Sequence, residues 1–491
     1  MDRLDKRPLV LIAALAAVIV VGLLPRLPIA LTTVFASPTY LLTSTSAEPT
    51  SEANAEDFPD LTLALPPIPP GSTVFHVSGR TGSDSNPGTL EAPWKTLQHA
   101  VTKIHPGDWV LFARGIYRLP KTTTLGPSGT GPEGLTTFAP EQGARVLFTG
   151  ADGEAPNISF GGDYIRLYGL WFGGTFNPNV GHQIAPGGSS ISVGNQIVNN
   201  TFFGYNGGIV IGSSERLLIQ GNRFVKTGKG KLAHSIYLSG GCCEGQYSQH
   251  VIVDHNILIA NGGWGTHVFN SAPGAPHNFI ITRNFFTGSN WGSIAYGSDN
   301  LVANNFYWKL TGIPGMAWNS IGVEANDTHS IYINNVFESR GWLKAGYGFP
   351  ASPSWTLNTY DHNAHQLTNF PPLAVYVITG TNRIKLTKGR EIAEYGVSEA
   401  QIDSAIIALK RSFASPVSYI LSDTTIEKNF AVLGLRTPST SPLYQSGNPW
   451  FGRPVNVGPN AEAPATFDDF WAAFRALGLR EYDRFGKPVG P

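Results

Sequence analysis

An asparagine that stands two residues before an aromatic or aliphatic residue recurs through the middle of the chain, each time after a short β-branched run. Successive asparagines are 22, 34, 28, 21 and 30 residues apart, so the repeat has a minimum near 21 residues and inserts of variable length. Such a pattern is typical of a solenoid whose coils differ in their loops. The asparagines are Asn200, Asn222, Asn256, Asn284, Asn305 and Asn335.

The residues around each asparagine favour strands, because they are β-branched or aromatic and lack helical periodicity. Asparagine tolerates a left-handed backbone better than other non-glycine residues, and its side chain can hydrogen-bond its counterpart in the next coil. We therefore predict an all-β chain folded as a parallel β-helix. Residues 157 to 349 or so should form at least six stacked coils, with the six asparagines in one column as an Asn ladder.

A second repeat runs through the same part of the chain. Four isoleucines each open a short alternating strand and are predicted to point inward: Ile209, Ile236, Ile294 and Ile321. Three tryptophans recur at 27-residue spacing: Trp264, Trp291 and Trp318. Counting from Trp264 puts His267 in the isoleucine column, whereas a shift by one residue puts Val268 there and turns His267 outward. The sequence leaves both registers open.

The charge balance limits the classes of partner. The chain of 491 residues has 34 basic and 34 acidic side chains and no formal net charge. Nucleic-acid binding requires a basic surface that releases counterions, so no nucleic-acid partner is expected. The length would allow several compact domains, but the repeat indicates one elongated body with extensions, expected to be a monomer.

The N-terminus reads as a targeting segment. Basic residues at the start precede an apolar run from Leu9 to Leu24, and Ala36 offers a small-residue cleavage site. Residues 1–36 are therefore a cleaved signal peptide or a retained signal anchor, and both alternatives stay open. Residues 37–72 are rich in Ser, Thr, Pro and Glu and are predicted to be a disordered tether. The body is expected to be extracytoplasmic, secreted or tethered to the cell surface, with membrane contact only through this segment.

The entry to the solenoid carries a specific string. A strand-like segment at 75–79 is followed by a turn-rich loop at 82–89, a short helix with Thr96 as its N-cap, and a strand at 109–112. From about Phe75 to Tyr117 this string resembles the N-terminal cap of the pectate-lyase-like right-handed parallel β-helix superfamily. The resemblance implies a capping helix, a right-handed solenoid and an extracellular carbohydrate-active protein. It does not choose among lyases, hydrolases, epimerases and non-catalytic surface proteins.

These signals divide the rest of the chain. The cap and first coils are expected at 73–156, the β-helix body at 157–363, and C-terminal coils, helices and a closing segment at 364–491. In the last region a capping box at Ser398 begins a helix that runs to about Phe413, and a second helix follows Thr466. These pieces are predicted to cover the far end of the solenoid or to fold along its flank.

No cofactor and no metal site are expected. Calcium would require clustered carboxylates, and between Asn157 and Gly348 no two acids are adjacent and no Asp-x-Asp occurs, so calcium is unsupported.

Polar side chains on consecutive strands of the isoleucine register mark a candidate groove, since neighbouring strands stack about 4.8 Å apart. The candidate catalytic residues are His234, Tyr237, His267, Asp299 and Glu324. The candidate substrate-binding residues are Asn270, Tyr296, Asn326, Trp264, Cys242 and Cys243. His and Tyr can transfer protons, and we expect roughly 8 Å between Asp299 and Glu324, within the range for inverting hydrolysis. The alternative is that each polar residue merely lies on a solvated face.

Cys242 and Cys243 are the two cysteines of the chain. In an exported protein they can pair with each other, pair between chains or stay free. A bridge between neighbours is strained, but the preceding glycines offer flexibility, and we predict that it forms a rigid apolar platform beside His234 and Tyr237. The repeated tryptophans either stack on sugars or fill the interior near a corner.

The sequence thus favours an extracellular enzyme that cleaves polysaccharide, as a lyase or a glycoside hydrolase, in a groove on the β-helix flank. The alternative is a non-catalytic cell-surface protein that binds glycan or builds the envelope. A groove with convergent His, Tyr and carboxylate groups would favour the enzyme.

Overall fold

The protein was analysed as a computed structural model. The structure describes residues 65–120, 122–150, 157–173, 184–185, 191–204, 208–212, 214–227, 234–239, 248–259, 262–269, 277–288, 291–295, 297–310, 321–323, 329–337, 343–345, 359–361, 364–365, 398–413, 425–434, 450 and 466–489. All of them belong to one compact unit. Within these ranges, no helix is long and apolar enough to cross a membrane. The targeting segment at 1–36 and the tether up to residue 64 lie outside them.

The strands of the body form three parallel sheets, named A, B and C in the order in which the chain visits them. Sheet A contains Val74–Val77, Trp109–Phe112, Thr136–Pro140, Ile165–Tyr168, Gln196–Val198, Leu218–Gln220, Gln249–Asp254, His277–Thr282, Leu301–Ala303, Ile331–Ile333 and Thr359–Asp361, with Ser192–Val193 and Ser214–Glu215 alongside. Sheet B contains Gly115–Leu119, Val146–Gly150, Trp171–Gly173, Thr201–Phe203, Arg223–Val225, Ile257–Ile259, Phe285–Thr287, Phe306–Trp308, Val336–Phe337 and Ala364–His365. Sheet C contains Thr122–Leu125, Asn157–Phe160, Ile184–Ala185, Ile209–Ile211, Ile236–Ser239, Trp264–Phe269, Trp291–Ala295, Ile321–Val323 and Leu343–Ala345.

The chain passes from sheet A to B to C and then pairs in parallel with its own previous coil, as where Gln196 lies beside Leu218. After Asn157, complete coils of this kind begin at Ile165, Gln196, Leu218, Gln249, His277, Leu301 and Ile331. The prediction of a parallel β-helix with at least six coils is therefore confirmed.

The repeated asparagines lie at the corner between sheets A and B. The Nδ2 of each donates to the Oδ1 of the next, from Asn200 to Asn335, at 3.0 to 3.2 Å. Each Nδ2 also donates to a carbonyl of a sheet A strand, for example Asn256 to Ile219 at 2.9 Å. These side chains are fully buried, so they satisfy polar backbone groups that water cannot reach.

The left-handed backbone expected at these asparagines belongs instead to the residue before each of them. Asn199, Gly221, His255, Arg283, Asn304 and Asn334 have φ between 54° and 67°. The turn is therefore made one residue earlier. The side chain of each column asparagine lies between the coils, where it hydrogen-bonds the asparagines of the neighbouring coils.

Large side chains two positions after the asparagine fill the interior at Phe202, Phe224, Leu258, Phe286 and Tyr307. Phe172, Phe202 and Phe224 stack in successive coils at ring-centroid distances of 5.2 and 4.9 Å. Further along, Phe286 and Tyr307 stack at 4.9 Å. All five rings are fully buried, so the repeat combines a polar corner with an apolar column.

Helix α1, Leu97–Val101, belongs to the cap at the N-terminal end of the solenoid. Thr96 is its N-cap and accepts a hydrogen bond from the His99 amide at 3.1 Å. Asp84 fixes this turn by accepting from the amides of Lys95 and Thr96 at 2.9 and 3.0 Å. Leu97 and Ala100 are buried in the main core, so the helix closes apolar surface that the first coils would otherwise expose.

Two C-terminal helices, α2 (Glu399–Ser412) and α3 (Thr425–Leu433), pack on the outer face of sheet B. The capping box predicted at Ser398 begins α2. Many outer side chains of sheet B are apolar, among them Trp171 and Phe203, and Phe413 stacks on Trp171 at 6.0 Å. Glu427 of α3 accepts from Arg145 at 3.5 Å and from Arg223 at 2.8 Å.

Helix α4, Phe467–Ala476, packs on the outer face of sheet A together with Trp450. The antiparallel pair Glu481–Tyr482 and Pro488–Val489 follows it. Among the described residues, the clusters that these C-terminal helices form with sheets A and B include no residue of sheet C. Of the two predicted positions, the described C-terminal segments thus take the flank of the solenoid.

Three of the four isoleucines predicted to share a column in sheet C do share one register. Ile209 pairs with Ile236, and the same column continues through Thr266 and Ser293 to Ile321. Ile294 pairs instead with His267 and Gly322, so its predicted place in the column was wrong. Its 27-residue distance from Ile321 was misleading, because the register pairs residues 28 apart at this step.

Candidate functional site

The register of sheet C decides the orientation of His267. Tyr237 pairs with His267 and Leu238 pairs with Val268. Leu238 and Val268 are fully buried in the main core. Successive side chains of a strand point to opposite faces, so Tyr237 and His267 point away from the interior. His267 therefore points outward, as in the second of the two registers, but Thr266 and not Val268 occupies the isoleucine column, and Val268 pairs with Leu238.

Three proton-carrying side chains meet on this surface, and we call His234, Tyr237 and His267 the His–Tyr cluster. His234 lies just before the strand Ile236–Ser239, and its ring centroid is 4.2 Å from that of His267 and 5.3 Å from that of Tyr237. The rings of Tyr237 and His267 are 5.2 Å apart. Three of the five predicted catalytic residues are thus brought together by two neighbouring strands.

Hydrogen bonds link the two histidines to the backbone. The amide N–H of Trp264 donates to Nδ1 of His234 at 3.0 Å. Nε2 of His234 lies 2.8 Å from Nδ1 of His267. Because Trp264 and His267 share one strand, the two histidines are held between consecutive coils.

Burial keeps the cluster uncharged near neutral pH. Loss of solvent lowers the pKa of His234, which is 7% exposed, to about 4. Burial, aided by repulsion from His234, holds the pKa of His267 well below its usual value. Burial also raises the pKa of Tyr237. Among the residues that the structure describes, no carboxylate contributes to these three shifts, and no group of side chains could hold a metal ion.

Trp264 lies beside the cluster, with its ring 6.2 Å from that of His267. It is 5% exposed and stacks on Trp291 at 5.2 Å. Of its two predicted roles, burial near a corner agrees with this geometry, because its ring faces another ring. Trp264 contacts the His–Tyr cluster through its backbone amide.

Asp299 lies apart from the His–Tyr cluster. It occupies the turn that leads into sheet A, has a φ of 52° and is 1% exposed. Its carboxylate accepts from the Arg480 amide at 3.0 Å and from the Tyr482 hydroxyl at 2.8 Å. The expectation that it lines the groove was wrong, because the C-terminal strand pair covers this carboxylate and uses both of its oxygens.

The remaining candidates fall outside the described residues. They are Glu324, Asn270, Tyr296, Asn326, Cys242 and Cys243. The predicted distance between Asp299 and Glu324 and the predicted cysteine bridge therefore stay predictions.

Another buried acid of the body is structural. Asp254 is fully buried and accepts from Nε of Arg283 at 2.7 Å. Despite burial, Arg283 and His255 hold the pKa of this carboxyl well below its usual value. Its charge is therefore balanced inside the fold.

Two family models match the body of the chain. Residues 75–227 match the model described as "Pel9A-like, right handed beta helix region", and residues 174–307 match "Right handed beta helix region". The resemblance to the pectate-lyase-like superfamily is confirmed. The matches also agree with the predicted right-handed coiling. No curated protein matches the chain significantly.

Solved structures give weaker similarities. A lacto-N-biosidase of glycoside hydrolase family 136 from Eubacterium ramulus has 14% identity and a TM-score of 0.42, over 60% of this chain and 64% of that one. Pectate lyase Pel9A has 17% identity and a TM-score of 0.36, over 61% of this chain and 84% of that one. XylC in complex with xylose has 10% identity and a TM-score of 0.35, over 60% and 76%.

Proposed function

We propose that the protein is an extracellular polysaccharide-active enzyme that binds glycan along the outer surface of sheet C. The observation that carries this proposal is the His–Tyr cluster, in which three side chains able to exchange or donate protons meet on one flank. In the part of the chain that the structure describes, the C-terminal helices cluster with sheets A and B and not with sheet C. A flank with convergent polar groups is where such a solenoid can hold an extended chain of sugars.

The chemistry of the cluster favours elimination over hydrolysis. Hydrolysis by the usual route requires two carboxylates on either side of the scissile bond. Two of the described acids, Asp254 and Asp299, have their oxygens engaged inside the fold. Elimination requires one group that removes the proton next to a uronate carboxylate and one that protonates the leaving oxygen. Tyr237 carries a phenol proton near pH 7, because its pKa is raised, and suits the second task.

Hydrolysis is the second candidate and depends on Glu324. The sequence puts this acid one coil beyond the Trp291–Ala295 strand. If its carboxylate reaches the same flank, it would supply one of the two groups that hydrolysis needs.

The proposed setting is extracytoplasmic. Residues 1–36 would direct export, as a cleaved signal or as an anchor, and 37–72 would tether the body. A Cys242–Cys243 bridge would give the groove an apolar platform for a sugar face. Polysaccharide is the expected partner, the protein works as a monomer, and no cofactor is invoked.

A glycan panel tests the proposal. The full chain is incubated with uronate-containing and neutral polysaccharides, and both the absorbance of unsaturated uronates and the release of reducing ends are recorded. Absorbance indicates elimination, and reducing ends without absorbance indicate hydrolysis. Tyr237→Phe should lower turnover by roughly 100-fold, the usual scale for losing a proton-transfer group. Tyr168→Phe on sheet A is the matched control and should retain activity.

Two results would contradict the proposal. Full activity in Tyr237→Phe would move the chemistry away from the cluster. Glycan binding without product from any polysaccharide would favour the non-catalytic surface protein.

A further inference from the structure

The two histidines of the cluster form a directed chain that starts at the backbone. The Trp264 amide lies 3.0 Å from Nδ1 of His234, and Nε2 of His234 lies 2.8 Å from Nδ1 of His267. A backbone N–H can only donate, so Nδ1 of His234 must be an acceptor. This one fixed donor determines the direction of the second bond.

The protons of both rings follow from that direction. A neutral imidazole has one N–H and one acceptor nitrogen. His234 accepts at Nδ1 and therefore carries its proton on Nε2, which donates to Nδ1 of His267. His267 in turn accepts at Nδ1 and carries its own proton on Nε2. Both tautomers are set by a single main-chain group.

The same geometry opposes a positive charge on either ring. A proton added to Nδ1 of His234 would face the Trp264 N–H, and a proton added to Nδ1 of His267 would face the N–H of His234. Each would replace a hydrogen bond by two opposed donors. The low pKa of His234, about 4, agrees with this picture, although burial is its main cause. A ring that carries a proton on Nε2 and cannot accept a second one is a poor base.

We propose that the Trp264 amide, acting through His234, fixes His267 as an uncharged Nε2–H donor, so that His267 donates to a substrate oxygen and is not the base. This rests on the proposed function for its substrate. His267 is the group that contacts substrate, and His234 is a positioning residue. This replaces the expectation that either histidine abstracts a proton. Tyr237 keeps its role as the proton donor to the leaving oxygen, and the base that elimination needs would be a group other than these two histidines.

Nitrogen NMR of the full chain labelled with 15N-histidine tests the tautomers without substrate. The His267 signal should show its proton on Nε2 at neutral pH. His234→Phe removes the donor to His267 and should shift that signal toward a mixture of tautomers. His234→Gln, whose amide can accept from Trp264 and donate to His267, should keep the wild-type pattern. A wild-type His267 with its proton on Nδ1, or with both nitrogens protonated, overturns the proposal.

Activity tests the role of the donor. His267→Gln places an amide N–H near the position of Nε2 and should retain at least tenfold more turnover than His267→Phe. Glutamine cannot take up a proton, so equal loss in both variants would indicate a base and refute the donor role. If the NMR result holds but no polysaccharide is bound or cleaved, the proposed function and the donor role fall together, whereas the tautomer assignment stands.

Discussion

Replacing Asn256 by alanine should test the polar corner most directly. Its Oδ1 accepts from the backbone and side-chain nitrogens of Asn222 at 2.9 and 3.0 Å. Its Nδ2 donates to Ile219 and to Asn284. Alanine would leave the Asn222 amide and the Ile219 carbonyl short of a partner in a fully buried place. It would also remove one of the two acceptors of the Asn222 side chain.

The magnitude follows from these groups. A buried polar group that loses its partner costs about 1 to 3 kcal/mol, and three groups are affected. With partial relaxation of the corner, we expect the free energy of unfolding to fall by about 4 kcal/mol. The assay is urea denaturation followed by circular dichroism. Hydrogen exchange over residues 218–259 then shows whether the loss is local, because a solenoid can open one coil at a time.

A half-buried residue of the same solenoid provides the control. Gln196 accepts a single hydrogen bond from Arg166 at 2.9 Å, so Gln196→Ala should cost about 1 kcal/mol. If Asn256→Ala cost no more than this control, the hydrogen bonds of the corner would not be what holds the coils together.

Two further results are expected. Folding lowers the pKa of His234 and of His250 from 6.5 to about 4. The unfolded chain therefore takes up protons first as the pH falls from 6.5 toward 4, and the free energy of unfolding should drop by about 3 kcal/mol for each histidine. Thermal denaturation between pH 7 and 4 should show this decline. A double variant with glutamine at both positions should make it shallower, while His267 and His277, whose pKa is also lowered by burial, still contribute; an unchanged slope contradicts the assignment. Glu427→Ala leaves the buried Arg223 without its carboxylate and should cost about 2 kcal/mol and speed proteolysis of α3, whereas the exposed neighbour Lys428→Ala should not. Equal proteolysis of both variants would count against this ion pair as the anchor of α3.

The body of the fold could be predicted because the same local requirement returns in every coil. A buried corner needs a side chain that both donates and accepts, and an interior column needs a large apolar ring. Asparagine and the aromatic residue two positions later satisfy these needs at Asn222 and Phe224 and again at Asn284 and Phe286. The requirement is local, so it is visible in the sequence even though the loops between coils vary.

Other features depend on relations between coils, which spacing alone does not reveal. One extra residue between the coils of Ser293 and Ile321 moved Ile294 out of its expected column. The packing of helices on sheet B was visible in the sequence. Phe203 and Trp308 directly follow interior rings, so their strands carry large apolar side chains on both faces. The role of the Trp264 amide could not be predicted from the sequence, since every residue but proline offers the same group.

Glu427 ties the end of the chain to strands made far earlier. It reaches Arg145 across 282 positions of sequence and Arg223 across 204. Contacts of such length raise the contact order above that of a solenoid in which each coil touches only its neighbours. During synthesis, which runs from the N-terminus, the strands that carry Trp171 and Phe203 are made well before α2 and α3, which later cover them. Chains truncated before α2 would therefore expose an apolar strip on the outer face of sheet B and would be prone to aggregation.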